Sequence, residues 1–222
     1  MAQHPFPGRR FGGFLFDMDG TILNSIVAAE RVWGAWARRQ GLDVDSFLPT
    51  IHGMRAVETM RRVGIAEAVL EAEIAGLVQA EIDDVEGIVE IAGAAIFLKS
   101  LPPERWMIVT SAPRALAEKR LAIAGLPVPE RMVTGEDVEN GKPAPDCFLL
   151  GAERLGVPIV DCLVFEDAPA GIQAGEASGA AVLVIDATHR HKLDTPHPSV
   201  PGYDALAVSS APDGTLEIIA KA

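Results

Sequence analysis

The sequence predicts an α/β fold, a Rossmann-like doubly wound parallel sheet with an inserted layer of helices, and three observations predict it. Four short runs are almost continuously apolar: "GFLFD" (13–17), "WMIVT" (106–110), "CLVFE" (162–166) and "AVLVI" (181–185). Such runs suit strands buried on both faces, as in a parallel sheet. Helical stretches alternate with them and end in glycine: Arg114 to Ala124 before Gly125, Pro145 to Leu155 before Gly156, and Pro169 to Ser178 before Gly179. The third observation is an interruption, since residues 25–90 carry repeated helical periodicity and no convincing strand.

Taken in order, the first run ends at Asp17 and leads into the interruption. There, Ile26, Ala29, Trp33, Trp36 and Ala37 share one helical face. Met54, Val57, Met60 and Val63 make a second stripe, and Val69, Leu70, Ile74, Leu77, Val78 and Ile82 a third. These helices form either a cap inserted after the first strand or an extra layer packed flat on the sheet. The cap reading is adopted, with residues 24–91 as cap and residues 1–23 and 92–222 as the Rossmann-like core. Beyond it, "RMVTG" (131–135) and "ALAVS" (205–209) are weaker strand candidates. Strand, helix, strand at this spacing implies right-handed crossovers and an open doubly wound sheet.

The 222 residues are 49% apolar and 23% charged, an ordinary folded composition. A formal net charge of −12 argues against nucleic acid or an anionic membrane as partner. Two cysteines, Cys147 and Cys162, are too few for a disulfide framework and read as buried thiols. "MAQHPFPGRR" lacks an apolar signal core and no run reaches membrane-spanning length, so a cytoplasmic protein is expected, as a monomer.

The stretch "FLFDMDGTILNS" sets Asp17 and Asp19 two apart at a strand end. Residues two apart project to one face, toward the edge where open α/β sheets bind ligands. Two adjacent carboxylates repel, so one is protonated or a cation lies between them. Other segments bring chemistry to the same edge: Ser111 after "WMIVT", Lys142 in "GKPAPD", and Glu166 with Asp167 in "CLVFEDAPAG". A hard cation such as Mg²⁺, completed by substrate phosphate, fits two acidic pairs with a hydroxyl and a lysine.

With "DMDGT", "VTS", "GKPAPD" and "FEDAPAG" in this order, the chain resembles the haloacid dehalogenase-like hydrolase superfamily, from about Phe14 to Asp186. The helical insertion stands where that superfamily carries its helical cap. The resemblance implies that Asp17 is the nucleophile, forming an aspartyl-phosphate, and that Asp19 is the acid and then the base. It implies that Ser111 and Lys142 bind the phosphoryl group. Mg²⁺ would be held by Asp17, the Asp19 carbonyl and Asp167, with Glu166 binding directly or through water. Bland readings stand beside these. Ser111 can cap the following helix, Glu166 can be a helix-start charge, and Arg114 is either substrate-facing or a surface residue.

Selectivity is expected from the cap, where "HGMRAVETMRR" looks like the cap of glycerol-phosphate and deoxyglucose-phosphate phosphatases of this superfamily. His52 and Arg55 are its candidate substrate-binding residues. Arg55 is expected in the first turn of a helix, slightly against the macrodipole, and His52 can instead satisfy a loop carbonyl. His189, His191 and His197 lie in a proline-rich loop and are assigned nothing.

The function expected is a Mg²⁺-dependent phosphatase of a small phosphorylated metabolite, a sugar or polyol. The alternative is a sugar-phosphate mutase similar to β-phosphoglucomutase. A non-catalytic metabolite-binding module fits poorly with an intact chemical set. A dehalogenase is disfavoured, because the matching branch of the superfamily lacks the aspartate that Asp19 supplies.

Overall fold

The computed structural model of the chain describes residues 5–189 and 193–221. β1 (Gly13–Phe16) is fully buried, and the chain leaves it through a tight turn into β2 (Leu23–Asn24). Four helices follow: α1 (Ile26–Arg39), α2 (Val44–Phe47), α3 (Ala56–Arg62) and α4 (Glu67–Asp83). The chain returns through β3 (Val89–Glu90), which pairs antiparallel with β2, Leu23 opposite Glu90. That short ribbon ties together the two ends of the helical insertion.

From there the alternation resumes with α5 (Ala94–Ser100), β4 (Trp106–Val109), α6 (Arg114–Ile123), β5 (Met132–Val133), α7 (Asp146–Leu155) and β6 (Cys162–Glu166). It ends with α8 (Pro169–Ser178), β7 (Ala181–Ile185) and β8 (Ser199–Val200). Pro169 sits in the first turn of α8, where its missing N–H costs nothing. The expected glycine stops hold, with Gly156 and Gly179 closing α7 and α8 in the left-handed region.

The six strands run in the order β5-β4-β1-β6-β7-β8 and every pairing is parallel. The strand order reverses at β1, which lies between β4 and β6. Crevices open beyond the carboxyl ends of strands at such a switch point. Phe14 and Phe16 face one side of the sheet and Leu15 the other. The first side buries an aromatic cluster in which Phe16 stacks on Phe165 at 4.3 Å. The second packs Leu15, Val109, Val164 and Val184 beneath α7 and α8.

The helical insertion has its own apolar cluster, built on Trp33, Trp36, Phe47, Met60, Leu70 and Leu77. Two expectations are corrected. The run at 205–209 overlaps β9 (Leu206–Ser210), but that strand pairs antiparallel with β10 (Leu216–Ala220) outside the parallel sheet. The face of α4 also differs from its expected stripe: Val69 is exposed, while Glu81 is buried beside Leu70 and Leu77. No helix among the described residues is long and apolar enough to cross a membrane. Both thiols are free, and burial pushes Cys147 up to about 11 and Cys162 to about 12, which leaves them unreactive.

Candidate active site

The carboxyl ends of β1, β4 and β6 bring the acidic residues together with Ser111, and Lys142 joins them from the loop before α7. The Asp17 amide extends the sheet pairing by donating to the Phe165 carbonyl at 2.9 Å, which fixes the first aspartate beside β6. Lys142 is 1% exposed, and its Nζ donates to Asp17 Oδ1 at 2.5 Å and to Glu166 Oε1 at 2.7 Å. The other oxygen of Glu166 accepts from the amides of Asp167 and Ala168, both at 2.7 Å. Asp167 Oδ1 accepts from the Thr21 hydroxyl at 3.0 Å.

Two glycines make these approaches possible. Gly20 turns the chain at φ 88°, and a Cβ there would collide with the Asp167 carboxylate. At Gly171 in α8 a Cβ would strike the Glu166 carboxylate.

Asp17, Glu166 and Asp167 are all buried and present oxygens within 4.8 Å of one another. At that range each like-charged pair repels by about 4 kcal/mol for an effective dielectric near 20. Burial, reinforced by Glu166, pushes the Asp17 carboxyl up to about 7 against the pull of Lys142. Burial and the same two neighbours, Glu166 and Asp17, raise Asp167 well above the ordinary carboxylate range. For Lys142, burial alone would lower the ammonium, but Asp17 and Glu166 outweigh it and hold it charged. Three buried carboxylates against one ammonium leave a deficit of positive charge that fits a divalent cation.

Above these groups lies a cavity of ≈90 Å³ closed by the helices. Asp17, Asp19, Ser111 and Asp167 line it from the sheet edge, and His52 and Glu81 from the helical side.

The region from residue 11 to 179 matches the family model of haloacid dehalogenase-like hydrolases. This chain belongs to that family. Hexitol phosphatase A of Escherichia coli is 41% identical to this hydrolase over 218 residues, which cover 94% of this chain and 99% of the relative. Glycerol-1-phosphate phosphohydrolase 2 of Saccharomyces cerevisiae is 34% identical, covering 78% of this chain and 74% of its own. A hydrolase from Pseudomonas syringae has a solved structure that superposes with a TM-score of 0.72 at 27% identity, over 79% of this chain and 84% of that one.

In this hydrolase Asp17, Asp19, Ser111, Lys142, Glu166 and Asp167 meet as the sequence suggested. The Ser111 hydroxyl donates to the Gly53 carbonyl of the helical insertion at 2.8 Å. His52 lines the cavity and has Nε2 3.2 Å from Glu30.

Arg55 and Arg114 are directed elsewhere. Arg55 is the N-cap of α3 and not in its first turn, and Glu58 in that turn pairs with its guanidinium, which offsets the conflict with the macrodipole. Its guanidinium pairs with Glu58 and donates to the carbonyls of Gly135, Val138 and Glu139 at 3.1, 2.8 and 2.8 Å. It straps the insertion to the loop after β5. Arg114 is half-exposed and lies 3.5 Å from both Glu118 and the Met132 carbonyl, outside the cavity lining.

Three residues at the site were not anticipated. Arg120 of α6 donates to Asp19 Oδ1 and to Glu81 Oε1, both at 2.9 Å. Each interrupts an apolar helix face, Arg120 among Leu116, Ala117 and Leu121, Glu81 four residues after Leu77. A charge inside an apolar stripe was the signal available. His189 Nε2 lies 2.9 Å from the Asp167 carbonyl, so its loop reaches the acidic edge. His197 contacts Glu176 at 2.7 Å, and His191 lies outside the described residues.

Proposed function

We propose that this hydrolase is a Mg²⁺-dependent phosphatase of small phosphorylated sugars or polyols, with residues 24–91 as its cap. Phosphatases of this family use a divalent metal. The observation that carries the reading is the placement of Lys142 between Asp17 and Glu166, in the crevice that also holds Asp19. Lysine fixes one oxygen of Asp17, and no protein donor among the described residues takes the other, which is left to attack phosphorus.

In the first step the Asp17 oxygen bonds to phosphorus as the ester P–O bond breaks. Asp19 gives its proton to the departing alcohol. In the second, water attacks the phosphorus of the aspartyl-phosphate, Asp19 takes its proton, and free phosphate leaves with Asp17 restored. Ser111 and Lys142 hold phosphoryl oxygens in place throughout. The site would hold Mg²⁺ through Asp17, Asp167 and the Asp19 carbonyl. Glu166, with both oxygens engaged, would act on the ion through water. Bound there, the ion supplies positive charge for the phosphoryl oxygens of the transition state. His52 would face the substrate's hydroxyl-bearing end.

The substrate class rests on the named activities of the relatives. The test is a panel of hexitol, hexose and glycerol phosphates, assayed with Mg²⁺ and with EDTA. Free phosphate should accumulate only with the metal. An isomeric phosphate in its place would make the protein a mutase, and inactivity toward every alkyl phosphate would end the reading. Borohydride added during turnover should convert Asp17 to homoserine, the mark of an acyl-phosphate.

A further inference from the structure

We infer that Arg120, locked by Glu81 of the cap, is a positioning residue that aims the Asp19 carboxyl at the leaving oxygen. The inference rests on the phosphatase reading above and assigns the cap a role in chemistry besides selectivity.

A guanidinium that is 6% exposed loses most of its hydration, at a cost of several kcal/mol, unless carboxylates and hydrogen bonds replace it. Here two carboxylates do so from different parts of the molecule. Asp19 follows β1 at the sheet edge, and Glu81, 8% exposed, projects from cap helix α4. Arg120 itself belongs to core helix α6, so one side chain joins the catalytic loop, the core and the cap. A planar fork with two terminal nitrogens can hold both carboxylates at once, which a lysine cannot match.

The contact on Asp19 is selective between its oxygens. Oδ1 accepts from Arg120 Nη1 at 2.9 Å and from the Ser25 hydroxyl at 2.5 Å, where Ser25 is the residue entering the first cap helix. Among the described residues Oδ2 has no protein donor. Two donors on one oxygen fix the plane and rotation of the carboxyl group and leave the other oxygen free. Oδ2 is therefore the oxygen that faces the leaving group, and rotation that would exchange the oxygens breaks the bonds from Arg120 and Ser25. Both donors are tied to the cap, one through Glu81 and the other through Ser25 at the entry to α1. Arg120 Nε is buried with no partner, and the residue lines the same cavity, which leaves that donor available to a substrate hydroxyl or water.

The experiment compares kcat/KM for the fastest alkyl phosphate of the panel with that for p-nitrophenyl phosphate. This parameter covers the steps through aspartyl-phosphate formation, in which only the alkoxide needs a proton, since p-nitrophenolate departs without one. Arg120→Met should lose about 10²-fold on the alkyl phosphate, and at least about tenfold more than on p-nitrophenyl phosphate. Arg120→Lys should recover part of the difference. Glu81→Gln, which keeps the size of the side chain, should shift the ratio the same way by a smaller factor. Equal losses on both substrates in the folded variants would reduce Arg120 to an anchor between cap and core, and overturn the inference alone. If Arg120→Met does not fold, an unchanged ratio in Glu81→Gln has the same force. A wild type inactive on both substrates would instead overturn the phosphatase reading beneath it.

Discussion

At the sheet edge, Lys142 is surrounded by Asp17, Glu166 and the Val109 carbonyl, and all of its donors point to groups on neighbouring strands. In the helical insertion, Arg55 has a comparable number of partners, but three are carbonyls from the loop after β5, 80 to 84 residues away. The first arrangement gathers more negative charge than it neutralises. The second is saturated and makes no contact with the cavity. Both are well-paired cations, Lys142 buried and Arg55 partly so, and pairing alone does not separate them. The residual charge imbalance does.

That contrast can be broken first at Asp17. Asp17→Asn should lower turnover on the order of 10⁴-fold or more, while the melting temperature stays equal or rises, because a buried like charge is removed beside Glu166 and Asp167. Persistent activity in that variant would show that no covalent step passes through this residue. Lys142→Met should cost activity and stability together, by about 3–5 kcal/mol in denaturant unfolding, since it leaves Asp17 and Glu166 without their cation. Millimolar Mg²⁺ should restore part of that stability by neutralising the acidic cluster.

On the other side of the comparison, Arg55→Ala should raise KM several-fold and cost about 1–3 kcal/mol of stability, with kcat on p-nitrophenyl phosphate within about threefold of wild type. A collapse of kcat would move Arg55 into the reaction and erase the distinction. The smallest effect lies outside both regions, at Asp137. Burial would raise its carboxyl, but Arg154 with the amide and hydroxyl of Thr134 holds it at about 2. A depressed carboxyl stabilises the fold fully above its unfolded value near 3.8 and loses that contribution as pH falls through 2. Asp137→Asn should therefore flatten the acid limb of stability between about pH 4 and 2, measured by thermal unfolding, and lower stability modestly at neutral pH, where the carboxylate's contribution is complete.

The strand cores, the glycine-closed helices and the six residues at the sheet edge were legible in the chain because each is a local pattern. Apolar continuity marks a strand buried on both faces, and a carboxylate or lysine just past its end has one place to go once the sheet is parallel. The positions of α3 and of β9 were less legible. Arg55 read as a residue inside a helix because capping geometry is decided by one backbone turn, and Leu206–Ser210 read as another parallel strand because a five-residue apolar run does not specify its partner.

By itself, then, the sequence determined the doubly wound core, the helical insertion and which side chains gather at the carboxyl ends of β1, β4 and β6. Tertiary structure alone decided that Arg120 meets Asp19 across 101 residues and Glu81 across 39, and that Arg55 does not reach the cavity. The physical reason is that strand and turn preferences act over a few residues. An ion pair between distant segments exists only after packing has carried both charges out of water to the same point.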